Sequence, residues 1–289
     1  AFLERHWGVH FPIGGTGALV AGLIGLIESL GGTIRLGEEI AEIVVEHGRA
    51  TGVRLASGHV DLADVVVSNA DAAWTYRHLV PATARRKWTD RRIERAHYSM
   101  GLFVWYFGTK RTYEDVAHHT IVLGPRYREL LADIFDRKLL ADDFSLYLHR
   151  PTATDPSLAP EGCDTFYVLS PVPNLDGDVD WSQEARRYQE RICRYLSDTV
   201  LPDLHTQLAA SHYLSPLEFR EQLLAFRGAA FSFEPILRQS AYFRPHNRSE
   251  DVERLYFVGA GTHPGAGVPG VLSSARVLDT VVPSPDELD

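Results

Sequence analysis

Residues 255–270 read Leu255-Tyr256-Phe257-Val258-Gly259-Ala260-Gly261-Thr262-His263-Pro264-Gly265-Ala266-Gly267-Val268-Pro269-Gly270. An apolar run of strand length enters a glycine-packed turn, and Pro269 limits how the helix beyond it starts. Bare glycine Cα atoms let backbone N–H groups approach a phosphate or a planar ring with no Cβ in the way. A single G-x-G is a common tight connection. Here strand, glycines and two prolines occur together, and the pattern points to a functional turn. A complete dinucleotide unit needs strand, turn, helix and a second parallel strand over about 30 residues. Only nineteen residues follow Gly270, so the turn is expected to complete a cofactor site whose main part lies elsewhere.

Working outward, the chain has 289 residues, 45% hydrophobic and 23% charged, as in an ordinary globular protein of one large or two moderate domains. A net charge of -9 argues against a nucleic-acid partner, which needs a surplus of Lys and Arg. Cys163 and Cys193 make neither a disulfide framework nor a metal spacing, and a reducing cytoplasm is the simplest reading. The chain opens on Ala1 and an apolar, aromatic segment, and a sequence whose beginning lies upstream is expected. The uncharged run from Phe11 to Ile27 contains Pro12 and five glycines. It is at the short limit for a span, and a buried helix is the expectation.

After Gly14-Gly15, Leu19, Leu23, Leu26, Ile27 and Leu30 recur at helical spacing, on a helix whose glycines would permit close packing on a sheet. Strands are expected over residues 33–36, 40–45, 49–55, 59–62 and 65–68, with His47-Gly48 and Ser57-Gly58 as turns. A basic helical stretch over 84–95 precedes an apolar strand over 102–107. An amphipathic helix follows over 127–140, then strands over 144–148 and 165–169, and a long helix from 182 to 201 ended by Pro202. The pattern is an α/β cofactor domain made from the two ends of the chain, residues 1–84 and 246–289, with an inserted α+β substrate domain over 85–245.

Metal and hydrolase readings find little support. His6 and His10 sit at i, i+4, but Gly8 and Pro12 oppose a helix there and no third ligand is placed. His118 and His119 are adjacent, and their rings are expected to diverge on a strand. No metal site is expected, and no G-x-S-x-G elbow exists.

The segment 256–270 resembles the signature of bacterial-type phytoene desaturases and related carotenoid oxidoreductases. So do Gly8-Val9-His10-Phe11-Pro12-Ile13-Gly14-Gly15-Thr16-Gly17-Ala18-Leu19, Ser68-Asn69-Ala70-Asp71, His118-His119-Thr120 and Gly124-Pro125-Arg126-Tyr127-Arg128-Glu129-Leu130. Asp143-Phe144-Ser145-Leu146-Tyr147-Leu148-His149, Ala159-Pro160-Glu161-Gly162-Cys163 and Phe243-Arg244-Pro245-His246-Asn247-Arg248 match as well. The resemblance runs in order over nearly the whole chain and corresponds to the later, larger part of the family's enzyme. Arg254 departs from it, standing where Asn is usual. The family's amino-terminal FAD fingerprint, a strand leading into G-x-G-x-x-G, is not in this sequence.

The resemblance implies an FAD-binding flavoprotein oxidoreductase fold, Rossmann-like, with its amino-terminal βαβ unit missing. It implies non-covalent FAD with Gly259, Ala260 and Gly261 along the pyrophosphate and ribityl chain, Gly267, Val268 and Pro269 near the flavin ring, and Ile40 at the adenine. The chain by itself is then expected to hold FAD weakly and to be inactive. The implied reaction is desaturation of phytoene, with quinone or oxygen as electron acceptor. A forty-carbon polyene gains on the order of 30 kcal/mol on leaving water at about 0.8 kcal/mol per CH₂. It must come from a membrane, so peripheral attachment at the inner face of the cell membrane is implied. The segments 102–107, 127–148 and 219–243 are expected to line its tunnel. No catalytic residue is assigned. Glu234 is a candidate base, with an ion pair to Arg238 as the plainer role. Alternatives are a carotenoid ketolase, a later desaturase or an isomerase, or, in another class, a non-catalytic hydrophobic-ligand or membrane module.

Overall fold

The computed structural model describes residues 2–288, which build three sheets. β1 (Ile40–Glu46), β2 (Arg49–Leu55) and β3 (Val60–Leu62) form an antiparallel meander. Its first turn is His47-Gly48, with φ of 51° and 82°, the two left-handed residues that a two-residue hairpin requires. β4 (Val66–Ser68) leaves the meander and pairs in parallel with β10 (Leu255–Phe257), Val66 beside Leu255 and Ser68 beside Phe257. The third sheet is antiparallel and runs in the order β6 (His119–Val122), β7 (Leu146–His149), β8 (Asp164–Val172), β5 (Gly101–Thr109), β9 (Leu208–Leu214).

The local sequence explains the large sheet. β5 is nearly continuous in apolar residues and is buried along most of its length between β8 and β9, as expected of a central strand. β8 alternates buried and half-buried residues along its length, the period of a strand with one face on a core. That face receives the Trp181–Thr199 helix, which buries Trp181, Ala185, Tyr188, Ile192, Cys193 and Leu196 on one stripe. Asp180 caps it by accepting from the Ser182 N–H, and the helix ends before Pro202. Each large side chain buried here contributes about 1.5–3 kcal/mol before conformational entropy. A second core gathers Ile43, Val66, Leu255 and Phe257 with Trp88, Ile93, Tyr98, Phe226 and Phe233. It ties the parallel pair to the segments flanking the large sheet.

Several expectations need correction. Residues 33–36 form no strand, because a strand without a ladder partner leaves its backbone groups unpaired. The Gly15–Ser29 helix forms, but none of its residues is buried, and Leu19, Val20, Leu23, Leu26 and Ile27 remain exposed. It packs neither as a buried helix nor against a sheet of the described residues. The amphipathic helix is α-helical only over Tyr127–Ala132 and continues as a π turn over Asp133–Arg137. The basic stretch is helical only over Asp90–Arg95. β6 and β9 had no clear signal, being half-exposed edge strands whose pattern is set by their partners. Among the described residues no helix is long and apolar enough to cross a membrane.

Two buried charges lock one end of the large sheet. Asp164, 1% exposed, accepts from Arg150 Nε at 2.9 Å, from the Tyr113 N–H at 2.7 Å and from Thr152 Oγ1 at 2.6 Å. Removing one partner of such a pair strands the other charge. Asp164→Ala is therefore expected to lower the unfolding free energy by about 3–5 kcal/mol, read from urea denaturation.

Arginine-paired carboxylates set the acid response. Hydrogen bonds from Arg35 to Asp61, from Arg85 to Asp90 and from Arg137 to Asp133 hold these carboxyls below the usual range. A carboxyl depressed in the folded state stabilises the fold above its unfolded value near 3.8, and the contribution is lost as pH falls through the folded value. The urea midpoint is expected to drop between pH 5 and about pH 2, and Asp90→Asn is expected to flatten that drop. An unchanged slope in the variant would exclude this pair as its cause.

Candidate functional site

The parallel pairing of β4 with β10 brings two carboxyl-terminal strand ends side by side. In open α/β sheets ligands bind in the crevice outside such ends. The loop after β4 is Asn69-Ala70-Asp71, and Asp71 caps a short helix by accepting from the Trp74 N–H at 3.0 Å. The loop after β10 is the glycine turn, which ends at the Val268–Val281 helix with Pro269 in its first turn. Gly267 is the N-cap and supplies no side-chain cap, so the first N–H groups of that helix lack the usual side-chain acceptor.

The glycines do different things. Gly259 has φ of 100°, and a Cβ there would lie 2.7 Å from Asn69 Oδ1. Its N–H already donates to Ser274 Oγ at 2.8 Å, so it offers a bare Cα rather than a free donor. A Cβ on Gly261 would meet the Ala72 N and Ser232 Oγ at 3.0 Å. These two residues are bare for the chain's own close packing. Gly267, with φ of 91°, faces open space, with nothing within 4 Å of a built Cβ.

One cavity lies against the turn and a second against the loop after β4. The first, about 690 Å³, is walled by Pro264 to Gly267 on one side and by Met100, Phe135, Phe231, Phe233, Pro235 and Ile236 on the other. The second, about 700 Å³, holds Ile40 with Val67, Ser68, Asn69 and Ala70. Asn69 lines the second cavity and abuts Gly259 of the turn. Of the residues singled out from sequence, Ile40 lines the second cavity and Gly267 the first, Val268 is exposed beside Gly267 and Pro269 follows in the helix, whereas Gly259, Ala260 and Gly261 line neither cavity and the two glycines among them are buried. The segment 102–107 does not line either cavity: most of it is packed in the sheet core. The apolar wall comes from Met100, from Phe135 in the expected segment 127–148 and from residues of 231–236 in the expected segment 219–243.

Arg244 was not singled out by role, yet it braces the turn. It is 5% exposed and donates to the carbonyls of Ala260 (2.7 Å), Phe231 and Phe233, while its Nε is buried without a partner. Burial pulls its guanidinium below the ordinary value, opposed by the charge of Asp71, whose own carboxyl burial pushes up. Glu234 lines the first cavity, with Oε2 3.7 Å from His97 Nδ1. Its ion pair is with His97 rather than with Arg238.

The histidines also differ from expectation. The first helix stops at Trp7, Gly8 takes φ of 81°, and His10 bonds the Trp7 carbonyl, so His6 and His10 do not share a helix face. The rings of His118 and His119 do not diverge. They lie 4.4 Å apart, with His149 at 4.6 and 5.3 Å, because His118 stands ahead of β6 and escapes its alternation. Burial, and then the charges of His118 and His119, hold His149 down at about 4.

The profile of the flavin containing amine oxidoreductase family matches residues 1–277. The chain belongs to this family. It is 50% identical over 287 residues to the phytoene desaturase (neurosporene-forming) of Rhodobacter capsulatus, covering 97% of this chain and 55% of that protein. It is 51% identical to the phytoene desaturase (lycopene-forming) of Pseudescherichia vulneris, covering 97% of this chain and 57% of that protein. The chain spans about half the length of the curated relatives it matches. The crystal structure of an oxidoreductase from Methanosarcina mazei superposes with a TM-score of 0.65 at 21% identity, over 96% of this chain and 57% of that one. The expected flavoprotein oxidoreductase fold is therefore the one observed. The open face at Gly267, ahead of helix N–H groups that have no side-chain cap, suits a flat, phosphate-bearing cofactor.

The packing makes the glycine requirement measurable. Gly259→Ala combines a left-handed φ with a clash and is expected to destabilise the chain by about 1–3 kcal/mol. Gly22→Ala, in an exposed helix with open space around it, is expected to stabilise it by up to about 1 kcal/mol. Urea denaturation of the two variants reads both, and equal effects would contradict this account of the turn.

Proposed function

We propose that this chain is part of an FAD-dependent carotene desaturase that acts on phytoene and yields neurosporene or lycopene. The observation that carries the reading is the juxtaposition of the glycine turn with an apolar cavity, in a chain about half identical to phytoene desaturases. Ile40, Asn69, Gly259, Ala260, Gly261, Gly267, Val268 and Pro269 are the proposed FAD contacts, with residues 1–84 and 246–289 as the cofactor half and 85–245 as the substrate half. Bound flavin supplies the hydride acceptor that amino-acid side chains lack, and a quinone or oxygen is the proposed final acceptor of the electrons.

The chain's own residues bind, orient and exclude water. Met100, Phe135, Phe231, Phe233 and Ile236 present an apolar wall to a hydrocarbon that offers no hydrogen bond. Arg244 holds the Ala260 carbonyl and with it the turn that sets the distance between cavity and cofactor. Glu234 is a carboxylate in that wall, placed to take a proton. The exposed Leu237, Tyr242 and Phe243 continue from the cavity's Ile236 and Ser240. They support peripheral contact with a membrane, from which so apolar a substrate has to be drawn; the inner face of the cell membrane is the proposed place.

Joined to the part of its relatives that it does not span and expressed in a phytoene-accumulating host, the chain is expected to convert phytoene to coloured carotenes identified by chromatography. Arg244→Leu is expected to reduce product at least about tenfold, as one mispositioned contact does. In the same assay Glu234→Gln either lowers turnover by about 10²-fold or more, as loss of a general base does, or removes Glu234 from that role. Persistent colourless phytoene with a folded, flavin-loaded protein would refute the substrate assignment.

A further inference from the structure

We infer that His118, His119 and His149, with the Tyr147 hydroxyl, form a binding site for a divalent transition-metal ion of the zinc class at the edge of the five-stranded sheet. The cavities beside the glycine turn are lined by other residues, so the site is separate from the proposed flavin site and does not depend on that reading.

The topology assembles the ligands. β6 and β7 pair antiparallel with His119 directly opposite His149, and opposed residues present their side chains on one face. Tyr147 is two residues before His149 on β7 and shares its face. His118, just ahead of β6, is drawn in by the bond from the Arg150 N–H to its carbonyl and by Thr154 Oγ1, 2.5 Å from its Nδ1.

The distances suit an ion. One ligand atom from each of the three histidines lies within 4.8 Å of the others. An ion about 2.1 Å from two imidazole nitrogens at a tetrahedral angle sets them about 3.4 Å apart, and His119 Nδ1 and His149 Nδ1 are 3.5 Å apart. Tyr147 Oη stands 2.6 Å from the first and 3.1 Å from the second. In the ion-free protein it bridges the two rings by hydrogen bonds, and it would have to move out to about 3.4 Å from each nitrogen to serve as the oxygen of a three-nitrogen, one-oxygen site.

The cluster is not fully satisfied by its own hydrogen bonds. The Tyr147 hydroxyl can donate to one Nδ1 and accept from the other, but His118 Nε2 is buried with no partner. With Thr154 on Nδ1, Nε2 is the atom left to coordinate, and fixing one imidazole nitrogen so that the other meets a metal is what supporting hydrogen bonds around metal sites do. The walls are apolar. The Tyr167 ring stacks on His149 at 4.6 Å, and Phe11 covers His118 at 4.8 Å and His149 at 5.8 Å. An ion here would clamp β6 to β7 beneath residues 11–14, which are already tied to this side of the molecule by the bond from the Gly14 N–H to Asp155 Oδ2. Four protein ligands and an aromatic cover describe a closed, structural ion rather than a catalytic one.

The test is titration of metal-stripped protein with zinc chloride by calorimetry, with cobalt(II) absorption as a reporter of four-coordination. One ion per chain is expected, with a rise in unfolding temperature on binding. His119 is exposed, so His119→Ala is expected to keep the ion-free fold, checked by circular dichroism, and to weaken binding roughly 100-fold or more. Thr154→Val, which touches no ion, is expected to weaken it about 10-fold. Less than about one ion per ten chains, or unchanged zinc affinity in folded His119→Ala, would overturn the assignment.

Discussion

The structure hangs on a parallel pairing of two three-residue strands, 66–68 and 255–257, that are far apart in sequence. Both are short, and one ladder of that size is weak by itself. What holds it is burial: Leu255, Tyr256 and Phe257 are each almost wholly inside, and Leu255 and Phe257 pack with Val66, Tyr76 and Trp88 in the smaller core. Because the pairing is parallel, both strands deliver their following loops to the same side. Asn69 meets Gly259 there, and the crevice between the loops follows from that meeting.

Polar residues then stiffen what the hydrophobic pairing places. Asn247, buried, donates to the carbonyls of Phe257, His263 and Ser274, linking strand, turn and following helix through one amide. Thr262 Oγ1 reaches the Pro245 carbonyl and Arg244 reaches Ala260. The segment 243–248 therefore works as a brace for the glycine turn. A buried guanidinium with an unpartnered Nε is costly, and it stands where a backbone carbonyl would otherwise lack a donor.

The five-stranded sheet obeys a different demand. It supplies bulk, with the 181–199 helix covering one face, and from its flanks come Met100 and Phe135, which wall the cavity. The apolar wall is thus built from residues adjoining strands and helices rather than from the strands themselves. In the strand 101–109 the core takes up Phe103, Trp105 and Phe107 on one face, leaving those side chains unavailable to a ligand, while Tyr106 on the other face stays exposed.

Local pattern decided much of this protein. The meander, the apolar central strand, the long capped helix and the turn-to-helix transition at Gly267 all follow from periodicity, caps and glycine freedom, which are short-range physics legible in one dimension. So was the family likeness carried by the ordered motifs. Long-range placement was not legible: that Gly259 is bare because of Asn69, that Arg244 holds Ala260, that His149 meets His118 and His119 across a strand pair, and that the 15–29 helix stays uncovered among the described residues. These depend on which distant segments become neighbours. A local pattern can say that a residue needs a partner, but only the folded chain names the partner, because contact energies act through space and not along the sequence.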